Sequence, residues 1–170
     1  MPGLTMYKMK GYFLAIASIV FCSGILISAK AESQSIPSFT MKLSNGKSFS
    51  SKDLSKQKPA IIIYFDPDCD HCQTLINTLL KKINEFKKSQ IVMVTFKPLN
   101  EVAGFEKKYH TAEYANIRVG TEQPIFFFRT FYHLENVPFT ILFNKQGKQI
   151  ISYKKETPVD DLLKHLKAII

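Results

Sequence analysis

The feature that most constrains the fold is a continuous apolar run followed closely by an amphipathic helical pattern. Residues 60–65 read Ala-Ile-Ile-Ile-Tyr-Phe, and β-branched and aromatic residues in such a run are typical of a strand buried on both faces. After a short polar stretch, residues 69–88 repeat apolar side chains at helical spacing with lysines between them. A fully buried strand followed by a helix predicts an α/β fold.

The remaining patterns predict further strands and helices. Asn45-Gly46 between two short alternating runs predicts a β-hairpin over residues 38–50. The other predicted strands are 91–96, 139–143 and 148–153, and the predicted helices are 69–88, 100–114 (N-cap Asn100), 124–134 (Pro124 first) and 158–170 (capped by Thr157). Residues 115–123 are expected to be a polar connection. Together these elements predict a three-layer domain with a central mixed sheet, helices on both faces and an N-terminal β-hairpin extension.

Residues 1–31 have the composition of an export signal. Lys8 and Lys10 precede the 15 residues of the apolar run 13–27, and Ala29-Lys30-Ala31 suits cleavage before Glu32. A membrane-spanning helix needs about 20 apolar residues, so a cleaved signal peptide is favoured over a membrane tether retained through residues 13–27. We therefore expect a signal peptide at 1–31 and a folded domain at 32–170 on the outer face of the membrane.

Cleavage would change both the charge and the cysteine content. It removes three lysines and no acid, which lowers the formal net charge from +9 to +6. It also removes Cys22, which is interpreted as part of the apolar signal; lipidation at Cys22 is the alternative. The remaining lysine pairs are scattered, as on a solvated surface, and export argues against nucleic acid as a partner. The two cysteines left are too few for a structural disulfide framework.

Those two cysteines, Cys69 and Cys72, lie where the strand at 60–65 gives way to the next helix. The free N–H groups and the dipole of a helix N-terminus favour an anion, and the thiolate is the reactive form of cysteine. Their spacing brings the second sulfur within reach of a disulfide on the first helical turn. We expect Cys69 to be exposed and Cys72 to be sheltered.

Charged residues surround the pair. Protonated His71 would favour a thiolate on Cys69, whereas the negative charges of Asp66, Asp68 and Asp70 would oppose it. The aspartates also suit the start of a helix. We therefore interpret these four residues as groups that tune Cys69.

A Cys-x-x-Cys at a strand-to-helix junction, followed by Val137-Pro138-Phe139-Thr140 at a later strand, resembles the thioredoxin fold. More narrowly, residues 36–170 are similar to the exported TlpA-like thioredoxin family of bacteria. That resemblance implies a location in the periplasm or on the extracytoplasmic face of a bacterial membrane. The resemblance implies a cis Pro138 against the cysteines, with Val137 pairing with the substrate backbone. It also implies thiol:disulfide exchange without a cofactor, with Cys69 as nucleophile, Cys72 as resolving residue and a Cys69–Cys72 disulfide when oxidised. Protein disulfides or dithiols would be the substrates, and an upstream redox partner would restore the pair.

The chain departs from that family's pattern in several places. It has no Trp, and Asp68 stands where an aromatic residue often precedes the first cysteine. Ile63 and Leu75 stand at two positions where relatives have an acid. The carboxylate that usually exchanges a proton with the second cysteine is therefore absent, and Asp66 is the candidate proton acceptor for Cys72.

Two other functions fit the sequence. Two cysteines with His133 as a third ligand would suit Cu(I) or Zn²⁺, as in the Sco-like copper-delivering relatives, although His71 is expected to point away. Alternatively, the fold is a redox-inactive binding module whose partner surface is the aromatic cluster at 126–132. Aromatic residues at helical spacing in that cluster are more typical of a core.

Overall fold

The computed structural model describes residues 34–170, so the predicted signal segment lies outside the described residues. Seven strands form one sheet: β1 (Thr40–Leu43), β2 (Ser48–Ser50), β3 (Ala60–Tyr64), β4 (Gln90–Thr95), β5 (Ile117–Gln123), β6 (Phe139–Phe143) and β7 (Gln149–Lys154). Their spatial order is β2-β1-β5-β4-β3-β6-β7, with β3, β4 and β5 parallel and the other pairings antiparallel. The predicted mixed sheet and its N-terminal hairpin are confirmed.

Helices cover both faces of this sheet. They are α1 (Asp70–Lys81), α2 (Leu99–Tyr109), α3 (Phe127–Tyr132) and α4 (Val159–Lys167), with short 3-10 segments at Ser51–Asp53, Ile83–Phe86 and Thr111–Glu113. Alternate residues of β3 contact opposite layers: Ile61 and Ile63 belong to the core formed with α1, α2 and α4, whereas Ile62 and Tyr64 belong to the core formed with α3. All five residues of β3 are buried, as the apolar run predicted. None of the helices among residues 34–170 has the length and apolar character needed to cross a membrane.

The prediction of a polar connection over residues 115–123 is wrong, because residues 117–123 form the buried strand β5. Ile117 and Val119 pack into the core on the α1 side. Gly120 allows β1 to approach closely, since a Cβ there would lie 2.6 Å from the carbonyl oxygen of Lys42. Glu122 is buried with its carboxylate hydrogen-bonded. Because the side chain is polar, a pattern based on hydrophobicity did not predict this strand.

Several helix boundaries also differ from the predictions. The first helix ends at Lys81 and continues as a 3-10 segment, and the second begins at Leu99 with Pro98 rather than Asn100 as N-cap. The third covers only Phe127–Tyr132, because the chain first turns at a cis Gln123–Pro124 bond and a left-handed Phe126. Pro158, not Thr157, is the N-cap of α4; the Thr157 hydroxyl instead lies 2.7 Å from that of Thr140.

Candidate functional site

The two cysteines lie at the start of α1 with unequal exposure. Cys69 is the N-cap, its N–H donating to the carbonyl of Asp66 (3.1 Å) and its carbonyl accepting from the N–H of Gln73 (3.0 Å). Cys69 is partly exposed, whereas Cys72, one turn further, is only 1% exposed. Both are free thiols in this structure. The helix therefore presents one sulfur to an incoming molecule and shelters the other.

A loop from the far end of the sequence completes this end of the sheet. β3 and β6 are antiparallel, with Tyr64 opposite Phe139, so the end of β3 and the start of β6 share one edge. The Cys69 sulfur lies 3.8 Å from the carbonyl oxygen of Val137, and the Val137–Pro138 peptide bond is cis. The structure thus places the two segments that the sequence singled out, the cysteine pair and Val137-Pro138, against each other.

Cys72 is held as a neutral thiol. Burial raises the pKa of Cys72 to about 12, and the neighbouring Cys69 and the negative charge of Asp66 act in the same direction. The backbone of Asp66 opposes this shift through a hydrogen bond to the sulfur. At neutral pH the buried Cys72 therefore needs a proton acceptor before it can act as a nucleophile.

The acidic residues before the first cysteine lie around Lys97, which was not among the predicted site residues. The Nζ of Lys97 lies 2.7 Å from Asp68, 3.6 Å from Asp66 and 3.5 Å from Glu101. The hydrogen bond to Asp68 is the main reason why the pKa of Lys97 is raised. This cation partly neutralises the carboxylates beside Cys69. The only feature of the sequence that singles out Lys97 is its position directly after the predicted strand 91–96.

The other two tuning candidates lie apart from that cluster. Asp70 is an exposed residue of the first turn of α1. His71 is exposed and lines an open cleft of about 450 Å³ between α1 and the turn before α4, which Lys155 and Thr157 also line. The structure therefore divides the four residues into an ion-paired group, Asp66 and Asp68, and a solvent-facing pair.

A buried carboxylate at the end of β5 organises the loop that leads to Val137. One oxygen of Glu122 accepts hydrogen bonds from the Tyr64 hydroxyl (2.8 Å) and the N–H of Phe126 (2.9 Å), and the other accepts from the N–H of Phe128 (2.8 Å). Burial raises the pKa of Glu122, and these hydrogen bonds oppose the rise. Glu122 was not among the predicted site residues, although the alternation of Ile117, Val119 and Thr121 could have indicated its strand.

The residues named for the two alternative functions are distributed as follows. Phe128 and Tyr132 of the aromatic cluster are buried, whereas Phe126 and Phe131 are exposed. His133 is an exposed residue that ends α3 in a left-handed conformation. Within residues 34–170, no group of three or more His, Cys, Asp or Glu side chains is arranged to hold a metal ion. His133 therefore does not combine with the two cysteines into a three-ligand set.

Many solved structures share this fold at low sequence identity. A SCO1/SenC family lipoprotein from Bacillus anthracis is 19% identical with a TM-score of 0.65, covering 82% of this chain and 96% of that chain. A secreted Mycobacterium tuberculosis disulfide oxidoreductase homologous to E. coli DsbE is 17% identical with a TM-score of 0.62, covering 76% and 95%. The exposed lipoprotein thioredoxin Etrx1 from Streptococcus pneumoniae is 19% identical with a TM-score of 0.59, covering 78% and 99%. These similarities show a thioredoxin-like fold.

Sequence comparison identifies the family. The comparison with curated proteins found no match to this chain. A family profile nevertheless matches residues 33–163, a span that contains the cysteine pair, Lys97, Glu122 and Val137-Pro138. The chain therefore belongs to the AhpC/TSA family.

Proposed function

We propose that this protein is a thiol:disulfide oxidoreductase of the TlpA-like type, acting on protein disulfides or dithiols outside the cytoplasm and without a cofactor. One observation carries the proposal: a partly exposed Cys69 lies 3.8 Å from the Val137 carbonyl, with the buried Cys72 one helical turn away. An accessible sulfur that can attack and a sheltered second sulfur that can resolve the mixed disulfide are what dithiol exchange requires, and the adjacent Val137 carbonyl offers a substrate strand a hydrogen-bond acceptor.

In the reductive direction, the Cys69 thiolate attacks one sulfur of a substrate disulfide. The substrate S–S bond breaks, a mixed disulfide forms through Cys69, and the other substrate sulfur leaves as a thiolate that takes up a proton. Val137 lies beside the reacting sulfur, so its backbone is the proposed pairing site for the substrate strand.

Cys72 then resolves the mixed disulfide. Its thiol loses a proton, its sulfur attacks that of Cys69, and the second substrate sulfur is released as a thiol. Two electrons have then passed from the dithiol to the substrate, leaving a Cys69–Cys72 disulfide that an upstream partner reduces. Asp66 is the proposed proton acceptor, because its backbone contacts the Cys72 sulfur and its charge acts on that thiol. The reverse sequence oxidises a substrate dithiol.

An insulin-reduction assay with dithiothreitol tests the reaction. The wild type should accelerate insulin reduction, and Cys69→Ser should reduce the rate to that of dithiothreitol alone. In a separate incubation without dithiothreitol, pre-reduced Cys72→Ser should accumulate a mixed disulfide with insulin on non-reducing gels, because its Cys69 can attack but the resolving thiol is absent. Equal rates for the wild type and Cys69→Ser would exclude the proposal.

The proposed location outside the cytoplasm is supported by the sequence of residues 1–31 and by structural neighbours described as secreted or as lipoproteins. The mass of the mature protein from bacterial cells tests it. Cleavage should give a chain that begins at Glu32. A full-length chain confined to the membrane fraction would indicate a retained tether, and a full-length chain in the cytosol would contradict export.

A further inference from the structure

We infer that the end of the domain opposite the cysteine pair binds the anionic headgroups of a lipid bilayer. This surface, the lysine pole, consists of seven exposed lysines: Lys52, Lys56, Lys58, Lys87, Lys88, Lys145 and Lys148. The inference does not rest on the proposed disulfide exchange. It adds a membrane surface as a partner of the same domain.

The direction of the strands brings these lysines together from three separate segments. β3 begins at Ala60 beside Gln90 of β4 and Phe143 of β6, so the segments before β3 and β4 and the turn after β6 meet at one edge of the sheet. One cleft of about 380 Å³ at this edge is lined by Lys52, Lys56, Lys58 and Lys145. Lys58 also lines a second cleft with Lys87. Lysines that are scattered in the sequence are therefore neighbours in the fold.

The charges of the lysine pole are directed to solvent. Within residues 34–170, the lysines that form ion pairs are Lys82, Lys97 and Lys167, none of which belongs to the pole. The ammonium groups of the pole also donate no hydrogen bond within that part of the chain. Clustered charges without internal partners can attract an anionic surface.

Few acids offset this charge. Those at or beside this end of the sheet are Asp53, Glu85, Glu106 and Glu113. Each already has a partner, in the same order Ser50, Lys167, Ser44 and His110. Arg118 adds a further exposed cation and lines a cleft with Lys58. Eight cations therefore face four acids, and the pole is strongly positive.

The cysteine end of the sheet has the opposite balance. Where β3, β4, β5 and β7 end, the chain carries seven acids, namely Asp66, Asp68, Asp70, Glu101, Glu122, Glu135 and Glu156. The Lys and Arg residues there are Lys97, Arg129, Lys154 and Lys155. The five residues of β3 separate the two ends by about 16 Å, at about 3.3 Å per residue. An anionic surface would therefore attract the lysine pole, and Cys69 would face away from that surface.

The composition of the pole favours a lipid surface over a protein partner. Lysine is depleted in protein–protein interfaces, whose centres are rich in aromatic and apolar side chains. Three of the five large exposed hydrophobic side chains among residues 34–170, those of Ile125, Phe126 and Phe131, lie at the cysteine end instead. Clustered lysines are attracted to an anionic leaflet without the need for a shaped pocket.

The path of the chain supports the same partner. The N–H of Ile36 donates to the carbonyl of Gly147 (3.1 Å), and Ser35 forms a β-bridge with Lys148. The preceding residues, which include the apolar run 13–27, are therefore joined to the domain beside the lysine pole. A basic patch together with an apolar segment is a combination that holds proteins at membranes.

Vesicle sedimentation tests the inference with the protein as bacterial cells process it. Vesicles of equimolar phosphatidylglycerol and phosphatidylcholine are compared with vesicles of phosphatidylcholine alone, at about 0.1 M and about 1 M salt. Two variants each remove three positive charges from exposed lysines. They are Lys56→Gln/Lys58→Gln/Lys145→Gln, the pole variant, and Lys107→Gln/Lys154→Gln/Lys164→Gln, the matched control outside the pole. Both variants have the same N-terminus, so their difference reports the pole alone.

At low salt the wild type should bind the phosphatidylglycerol vesicles at least about 10-fold more tightly than phosphatidylcholine, and high salt should remove this preference. The pole variant should lose at least about 10-fold in affinity and the control less than about 3-fold. Arginine at the same three pole positions should retain binding, because the charge is kept, and urea unfolding checks that all variants are folded. A wild type without preference for phosphatidylglycerol, or equal losses in the two variants, would overturn the inference.

Acetylation of the vesicle-bound protein tests its orientation. Vesicles should slow acetylation of the pole lysines and leave unchanged both the acetylation of Lys107 and Lys154 and the alkylation of Cys69. Equal protection of all lysines, or shielding of Cys69, would contradict the proposed orientation and overturn the inference. Tighter binding to soluble polyglutamate than to the vesicles would indicate an acidic protein as the partner and would overturn it as well.

Discussion

The Tyr64 hydroxyl donates a 2.8 Å hydrogen bond to the Glu122 carboxylate, and both side chains are 0% exposed. The two residues belong to β3 and β5, with β4 between them in the sheet. Two backbone N–H groups, those of Phe126 and Phe128, complete the carboxylate's partners. This contact therefore connects the strand that leads to the cysteine pair with the loop that leads to Val137.

Loss of this hydrogen bond should destabilise the domain. Tyr64→Phe removes one donor from a buried carboxylate and should lower the free energy of unfolding by about 2 kcal/mol. Glu122→Gln places an amide NH₂ against one of the three groups that donate to this carboxylate, and should lower the free energy of unfolding by about 3 kcal/mol. Urea unfolding at constant m-value measures both losses of stability. The loss in the double variant should be smaller than the sum of the two single losses. Wild-type stability in Glu122→Gln would contradict this account.

The alkaline side of the stability profile should depend on Cys72. Because burial raises its pKa from an unfolded value of about 8.5 to about 12, the folded state holds this proton more tightly than the unfolded chain does. The contribution of Cys72 is therefore complete below the unfolded pKa and decreases as the pH rises towards 12. With dithiothreitol present, the stability difference between wild type and Cys72→Ser should shrink from pH 8 to 10.5. A constant or growing difference would contradict the prediction.

The two cysteines should differ sharply in reactivity. At pH 7.5 under reducing conditions, iodoacetamide should modify Cys69 at least about 100-fold faster than Cys72, because Cys72 is both buried and a neutral thiol. Both cysteines lie in one tryptic peptide that ends at Lys81, so tandem mass spectrometry of that peptide, whose fragment ions separate Cys69 from Cys72, measures the two sites. In urea the rates should become similar, which serves as the control. Comparable rates in the folded protein would show that Cys72 is accessible.

Lys97 should support the reactivity of Cys69. Lys97→Met leaves Asp66, Asp68 and Glu101 without their shared cation, and the added negative potential should slow alkylation of Cys69 at pH 7 by about 3-fold. Lys97→Arg should retain the wild-type rate because the charge is kept. High salt should narrow the gap between Lys97→Met and the wild type. Faster alkylation of Lys97→Met would reverse the assigned role.

Two glycine substitutions should have opposite effects on stability. Gly120→Ala puts a Cβ 2.6 Å from the backbone oxygen of Lys42 and should cost about 3 kcal/mol by forcing β1 away from β5. Gly104→Ala, inside α2 with nothing within 4 Å of the new methyl group, should stabilise by about 0.5–1 kcal/mol. Thermal unfolding measures both, and a neutral Gly120→Ala would mean that the hairpin is loosely attached.

Local sequence patterns predicted secondary structure correctly where the residues within a segment are enough to specify it. The run at 60–65, the Asn45-Gly46 turn and the apolar periodicity of residues 69–88 predicted β3, the hairpin and a helix starting near Cys69, since these depend on neighbouring residues. The same approach failed at β5, because Gly120 and Glu122 are buried through contacts with other strands rather than through apolar character. It also misplaced Pro124, since the chain turns before α3 begins.

The sequence by itself determined the α/β class, the mixed sheet and the position of the cysteine pair at the start of a helix, because periodicity and spacing act within a few residues. The resemblance of the sequence also implied Val137-Pro138 against that pair, but only the tertiary structure decided the contacts that surround it. Lys97 with Asp68, Tyr64 with Glu122, and Cys69 with Val137 join residues 29, 58 and 68 positions apart. Such contacts follow from the order and direction of the strands, which bring the ends of β3, β4 and β5 and the start of β6 to one edge, and no local pattern specifies that order.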